Sequence, residues 1–174
     1  MAKAVIISGG TSENSRLNGI SDFVENYLNS EGITFDTINV RDLPPADLIY
    51  GKYDSPDIIM ANAKVEEAEI VIILTPVYKA SFTGVLKTYL DLLPQKGLVD
   101  KTVLPLVLGG TFGHLLMIDY ALKPVLAALG ATTLLAGAYI LDTQVERLEN
   151  QQFKLDTDAE QRLQQALGYV SPEK

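Results

Sequence analysis

The chain has 174 residues, 47% of them apolar, a formal charge of −8 and a pI near 4.6. That length and apolar content fit one domain over residues 1–174 with a sizeable core, while the acidic balance argues against a nucleic acid or an anionic membrane as partner, since both demand a concentrated basic face. The chain has no cysteine, which excludes disulfides, thiolate metal sites and dithiol redox chemistry.

The stretch "MAKAVIIS" enters a β-rich run at once, without the longer apolar segment of a signal peptide, and no run reaches the roughly 18 apolar residues of a membrane span. A cytoplasmic protein is expected. Leu17, Ile20, Val24, Tyr27 and Leu28 recur at helical spacing, which predicts a helix over 14–30. "ITFDTINV" alternates as a strand does, and Ser55 before Pro56 marks a helix start with proline at the first helical position. The runs "EIVIIL", "TVLPLVL" and "TTLLAGAYI" predict three more strands, separated by helices near 83–93 and 115–129, with Gly130 placed to stop the second. Thr157 and Glu160 form a candidate capping box for a last helix.

Five strands alternating with five helices, three of the strands continuously apolar, predict a parallel sheet covered on both faces. The expected fold is α/β, a flavodoxin-like three-layer sandwich with a five-stranded parallel sheet in the order 2-1-3-4-5. Two features sit awkwardly in this scheme. Pro105 removes a ladder donor from an interior strand, and the segment from Asp142 to Asp156 is long, without a clear period, and is expected to form an arm or hairpin touching another subunit.

In an open parallel sheet, ligands bind beyond the carboxyl ends of the strands, where the strand order reverses. The loops "SGGTSENSR", "TPVYKASFTG" and "GGTFGH" follow strands one, three and four, so all three rise on that edge. The first combines glycines, which permit close approach, with the hydroxyls of Thr11, Ser12 and Ser15 at a helix start that favours a phosphate. An N-capping turn would have the same composition, and the loop matches neither a P-loop nor G-x-G-x-x-G. The second loop is longer than the usual connection of about two to six residues. Its Tyr78 offers a surface to an aromatic ligand, and its exposed amides suit a flat heterocycle; the plainer reading has Tyr78 capping the core and Lys79 solvated. The third holds His114, the one histidine of the chain, with neither a triad nor a metal-ligand companion nearby, which points to lining a cofactor rather than hydrolysis.

A chain with no cysteine and one histidine has little redox chemistry of its own, so a cofactor would have to carry any that it performs, and no catalytic residue or metal ligand is assigned.

"TPVYKASFTGVLKTYLDLLPQKGLVDK" and "LPLVLGGTFGHLLMIDYALKPVLAALGA", together with the first strand and loop, resemble the NADPH-dependent FMN reductases, above all the reductase component of two-component alkanesulfonate monooxygenase systems. The likeness runs from the first strand to about Gln144. It implies a homodimer or homotetramer that uses FMN and NADPH and delivers reduced FMN to a separate flavin-dependent monooxygenase. It implies Gly10, Thr11, Ser12, Ser15 and Arg16 at the FMN phosphate. Pro76, Val77, Tyr78 and Lys79 would flank the flavin ring, with Gly109, Gly110, Thr111 and His114 opposite. One departure stands out: relatives commonly carry G-S-P-R where this chain has Gly9, Gly10, Thr11 and Ser12, so position 12 lacks an arginine and a looser hold on FMN is expected. Two other uses of the same fold stay open, a quinone or azo reductase working from bound FMN and a flavodoxin-type electron carrier.

Pro124 lies within the helical pattern "HLLMIDYALKPVLAALG", where it has no N–H for the carbonyl of Tyr120. A wide, π-type turn around Met117 to Ala121 would absorb the misfit. The resemblance implies that Tyr120 then packs at a subunit interface linked to flavin exchange; the alternative is a proline kink with Tyr120 in the core.

Overall fold

In the computed structural model, which describes residues 2–170, the apolar runs form the centre of one parallel sheet. Strands β1 (Lys3–Ser8), β2 (Thr34–Asn39), β3 (Ile70–Pro76) and β4 (Thr102–Gly109) are joined by two short ones, β5 (Thr133–Leu134) and β6 (Ala138–Leu141). The order is β2-β1-β3-β4-β5, with β6 also on β4 and every pair parallel, the flavodoxin-like arrangement. Helices α1 (Leu17–Ser30), α2 (Pro45–Ile49), α3 (Pro56–Glu67), α4 (Gly84–Leu90), α5 (Lys123–Ala128) and α6 (Thr157–Leu167) cover the two faces. Side chains alternate along a strand, so β1 sends Ala4 and Ile6 into the layer under α1 and α6, and Val5 and Ile7 into the layer under α3, α4 and α5. β3 is buried at every position as a result. Among the described residues no helix is long and apolar enough to cross a membrane.

The predicted fifth strand is two strands, and Pro105 is the reason. β5 pairs with Thr102 and Val103, β6 pairs with Leu106 to Gly109, and the gap between them faces Pro105. A residue in a strand directs its N–H and C=O to the same side, and the Pro105 carbonyl lies against Gly137, so the missing donor falls where no partner strand runs. The interior proline is accommodated by interrupting its neighbour.

Other boundaries moved for local reasons. α1 begins at Leu17 rather than near 14, because the hydroxyls of Ser12 and Ser15 accept the amides of Asn14 and Leu17 and hold a turn in place of a helix. α4 ends at Leu90; Leu92 and Leu93 then bond three residues back, as suits a stretch entering Pro94. α6 is capped by Asp156, one residue before the expected Thr157, since its carboxylate accepts the Ala159 amide at 2.8 Å.

Residues 142–156 do form a hairpin, with β7 (Val145–Arg147) antiparallel to β8 (Phe153–Leu155), and it packs on the chain's own α1. Gly19 makes that docking possible: a Cβ there would lie 2.7 Å from Phe153 Cβ and 2.9 Å from Val145 Cγ1.

The wide turn is present one residue later than expected, at Ile118–Leu122, closed by the Lys123 amide bonding to the Ile118 carbonyl five residues back. Pro124 therefore falls in the first turn of α5, where no intrahelical donor is required. Tyr120 is 79% exposed, which rules out the core position of the kink alternative.

Candidate functional site

β1, β3 and β4 end on the same edge, so the loops at 9–16, 76–83 and 110–114 stand side by side. Thr83 binds the first two together. It is fully buried as the N-cap of α4; its hydroxyl accepts the Leu86 amide at 3.1 Å and donates to the Gly9 carbonyl at 2.7 Å, while its own amide donates to the Thr75 hydroxyl at 3.2 Å. The contact needs glycine at position 9, where a Cβ would sit 2.6 Å from Leu86 Cβ.

A second link joins the same loops at the surface, where the hydroxyls of Thr11 and Tyr78 lie 2.7 Å apart. Tyr78 is 51% exposed, so it does not cap the core; its ring is open beside the junction. Tyr78 and Ser81 exchange backbone hydrogen bonds across Lys79 and Ala80, whose φ values are 50° and 63°. Two left-handed central residues are the signature of a type I′ turn, usually built with Asn and Gly. Lysine and alanine hold it at a cost of about 1 to 2 kcal/mol each, and such strain concentrates at functional sites.

The third loop is braced from below. Tyr139 donates its hydroxyl proton to the Thr111 carbonyl at 2.8 Å, and burial raises the pKa of the phenol, which keeps that proton in place. A Cβ on Gly109 would overlap the Tyr139 oxygen at 1.9 Å, so this loop requires glycine as firmly as the first. Phe112 packs on Tyr139, and the Arg162 guanidinium lies 5.1 Å from the centre of the Phe112 ring, tying the loop to α6. The Thr111 hydroxyl takes the Gly113 amide, and His114 is exposed at the end of the short turn.

Each sequence-predicted residue except Tyr120 thus lies on this edge, though their hydroxyls are partly engaged. Ser12 and Ser15 accept amides within the loop yet keep their own protons to donate. Pro76 is buried at the end of β3 and half-buried Val77 bonds to the Leu108 carbonyl, fixing where the second loop departs. Arg16 is turned toward the hairpin, its Nε donating to the Val145 carbonyl at 2.9 Å. What the edge offers in quantity is backbone donors: the amides of Thr11, Ser12, Glu13, Lys79, Ala80, Gly110 and Thr111 make no bond to another described residue. Such donors suit an anionic group and the carbonyls and nitrogens of a flat ring, so the residues present fit a flavin nucleotide.

An apolar groove of about 560 Å3 lies on the α6 side of the third loop, between Leu134, Gly137 and Tyr169. Its lining is mostly apolar, with Arg162 and Gln165 among its few polar side chains, and the three-loop edge remains the better candidate for chemistry.

Sequence reasoning missed Thr83, Tyr139, Arg41 and Arg147. Thr83 had a readable signal, a hydroxyl residue directly before Gly84 at a helix start. The other three reach the loops from distant elements: Arg41 donates to the Ser12 carbonyl, and Arg147 to that of Asn14.

Comparison with known proteins agrees with the geometry. The family described as NADPH-dependent FMN reductase matches residues 2–146. An FMN reductase (NADPH) of Pseudomonas putida is 44% identical over 145 residues, which cover 83% of this chain and 74% of the relative. One of the same description from Escherichia coli is 39% identical over 165 residues, covering 91% and 86%. Among solved structures, the apo form of an NADH:FMN oxidoreductase (EMOB) superposes with a TM-score of 0.86 at 30% identity, over 97% of this chain and 88% of that one.

Proposed function

The chain belongs to the NADPH-dependent FMN reductase family, oxidoreductases that use FMN and NADPH, and from that membership we propose that it reduces FMN at the three-loop edge and passes the product to a separate flavin-dependent monooxygenase of the alkanesulfonate type. The observation that carries the site is the convergence of unused backbone amides from loops 9–16, 76–83 and 110–114 on one side of the sheet.

FMN, when bound, supplies the hydride acceptor. The chain's own part is to hold and to shield. Amides and hydroxyls of residues 10–15 receive the phosphate, the strained turn at Lys79 and Ala80 with Tyr78 borders the ring, and Gly110, Thr111 and His114 border it from the other side. Backbone donors near a flavin carbonyl stabilise the negative charge that reduction places there. Purified protein should oxidise NADPH only when FMN is added and should elute colourless. A yellow protein that reduces quinones or azo dyes without added FMN would favour the bound-flavin reductase instead, and a yellow protein inert to NADPH would favour the electron carrier.

Release of the product is where Tyr120 enters the proposal. Its ring is exposed on the wide turn, and Phe112, Leu115 and Leu116 add further exposed apolar surface just before it, an arrangement suited to an interface between copies of the chain in a homodimer or homotetramer. Tyr120→Ala is expected to shift the gel-filtration volume toward a smaller species and to change flavin retention, with far-ultraviolet dichroism unaltered. A variant that matches wild type in both, or unfolds, removes the interface role.

A further inference from the structure

The chain holds four arginines, and three of them, Arg16, Arg41 and Arg147, make hydrogen bonds that fix the first loop or its helix entry. In a molecule of net charge −8 this is a local concentration of cations, and the three differ in what they have left to give. Arg16 is committed to the Val145 carbonyl. Arg147 reaches the Asn14 carbonyl from an exposed strand of the hairpin. Arg41, just after β2, donates through Nη1 to the Ser12 carbonyl at 2.9 Å, and that nitrogen would lie 3.9 Å from a Cβ on Gly10.

Arg41 also carries a buried donor without a partner, which the other two do not. Its side chain is 21% exposed, its Nε–H is buried with no hydrogen-bond acceptor among the described residues, and its ion pair is a long one, 3.5 Å to Asp42, whose own side chain is mostly in water. A guanidinium carries five N–H donors, and withdrawing them from water without partners is costly. Glu13, Asp22 and Glu25 border the polar groove beside Arg41, yet none forms an ion pair with it. Next to this half-used cation lie the free amides of Thr11, Ser12 and Glu13. A guanidinium and backbone amides are donors that suit a tetrahedral dianion better than a ring.

We infer that Arg41 is the specificity-determining residue of the first loop, its guanidinium pairing with the terminal phosphate of FMN so that the enzyme distinguishes FMN from riboflavin. This rests on the proposed flavin site. The pairing is charge-assisted and partly shielded from solvent, and it draws on a residue some thirty positions beyond the loop, supplied by the turn that follows β2, the strand next to β1.

Equilibrium titration of FMN and of riboflavin by flavin fluorescence, without NADPH, tests the assignment in wild type, Arg41→Ala, Arg41→Lys and Arg16→Ala. Arg41→Ala should weaken FMN about 10- to 100-fold and leave riboflavin within about twofold. Arg41→Lys should fall between, keeping the charge without the fork, and Arg16→Ala should cost both flavins alike. Raising salt should weaken wild-type FMN binding and leave riboflavin unchanged. Equal losses of both flavins in Arg41→Ala would reduce Arg41 to a prop for the Ser12 carbonyl, and an unchanged FMN affinity would dismiss it altogether. Wild-type protein that binds neither flavin would overturn the flavin site itself, and this assignment with it.

Discussion

Thr83→Val is expected to remove about 2 to 4 kcal/mol of stability and to weaken FMN binding as well. Valine matches threonine in shape, so the change isolates the hydroxyl. That hydroxyl is the N-cap of α4, worth about 1 kcal/mol, and its loss also strands the Gly9 carbonyl in a buried setting, at about 1 to 3 kcal/mol. Because the bond to Gly9 fastens the second loop to the first from within, both sides of the proposed flavin site should loosen together. Thr83→Ser keeps the oxygen and should lose less than about 1 kcal/mol, the small cost of one methyl. Urea titration of the two variants, read with FMN affinity, decides the matter. If valine keeps wild-type stability and serine falls below it, the methyl packing counts and the hydroxyl bridge does not.

Gly137→Ala should be about as damaging, by about 2 to 5 kcal/mol, for reasons of backbone and space. Its φ is 84°, in the left-handed region, and an added Cβ would lie 2.3 Å from the Pro105 carbonyl oxygen and 2.8 Å from Pro105 Cγ. Neither neighbour can rotate away. The third loop should feel the change too, since Gly137 leads directly into β6 and Tyr139 on that strand supports the Thr111 carbonyl. A denaturation midpoint within error of wild type would mean that the interruption between β5 and β6 adjusts freely.

These two positions also mark how much was legible in advance. Burial written into composition was readable: "EIVIIL" had to be a central strand, and the three long loops had to follow strands one, three and four on one edge. Pro105 was readable as a misfit, but its resolution was not, because what gives way is a strand some thirty residues later. The wide turn before Pro124 could be anticipated for the opposite reason, the conflict and its relief lying within one helix. Of the site, local chemistry could be found and distant chemistry could not. Thr11, Ser12, Tyr78 and Thr111 stand in their own loops, whereas Arg41 and Tyr139 arrive from elsewhere through sheet pairing, which no spacing along the chain reveals. Asp156 displaced Thr157 as a cap because two good capping residues stood side by side and the carboxylate engaged the amide.

The wide turn at Ile118–Leu122 and Pro124 bind each other's fate. Deleting one residue from the turn would restore continuous α-helical bonding and, in doing so, move the proline from the first turn of a segment into the interior of one, where it costs about 3 kcal/mol or more. Replacing the proline alone would leave a wide turn with nothing to accommodate. A single codon lost and a single codon changed are each unfavourable steps taken separately, so descendants of this chain should carry the extra residue and the proline together or have shed both, and the outward-facing tyrosine can be abandoned gradually only after that double step.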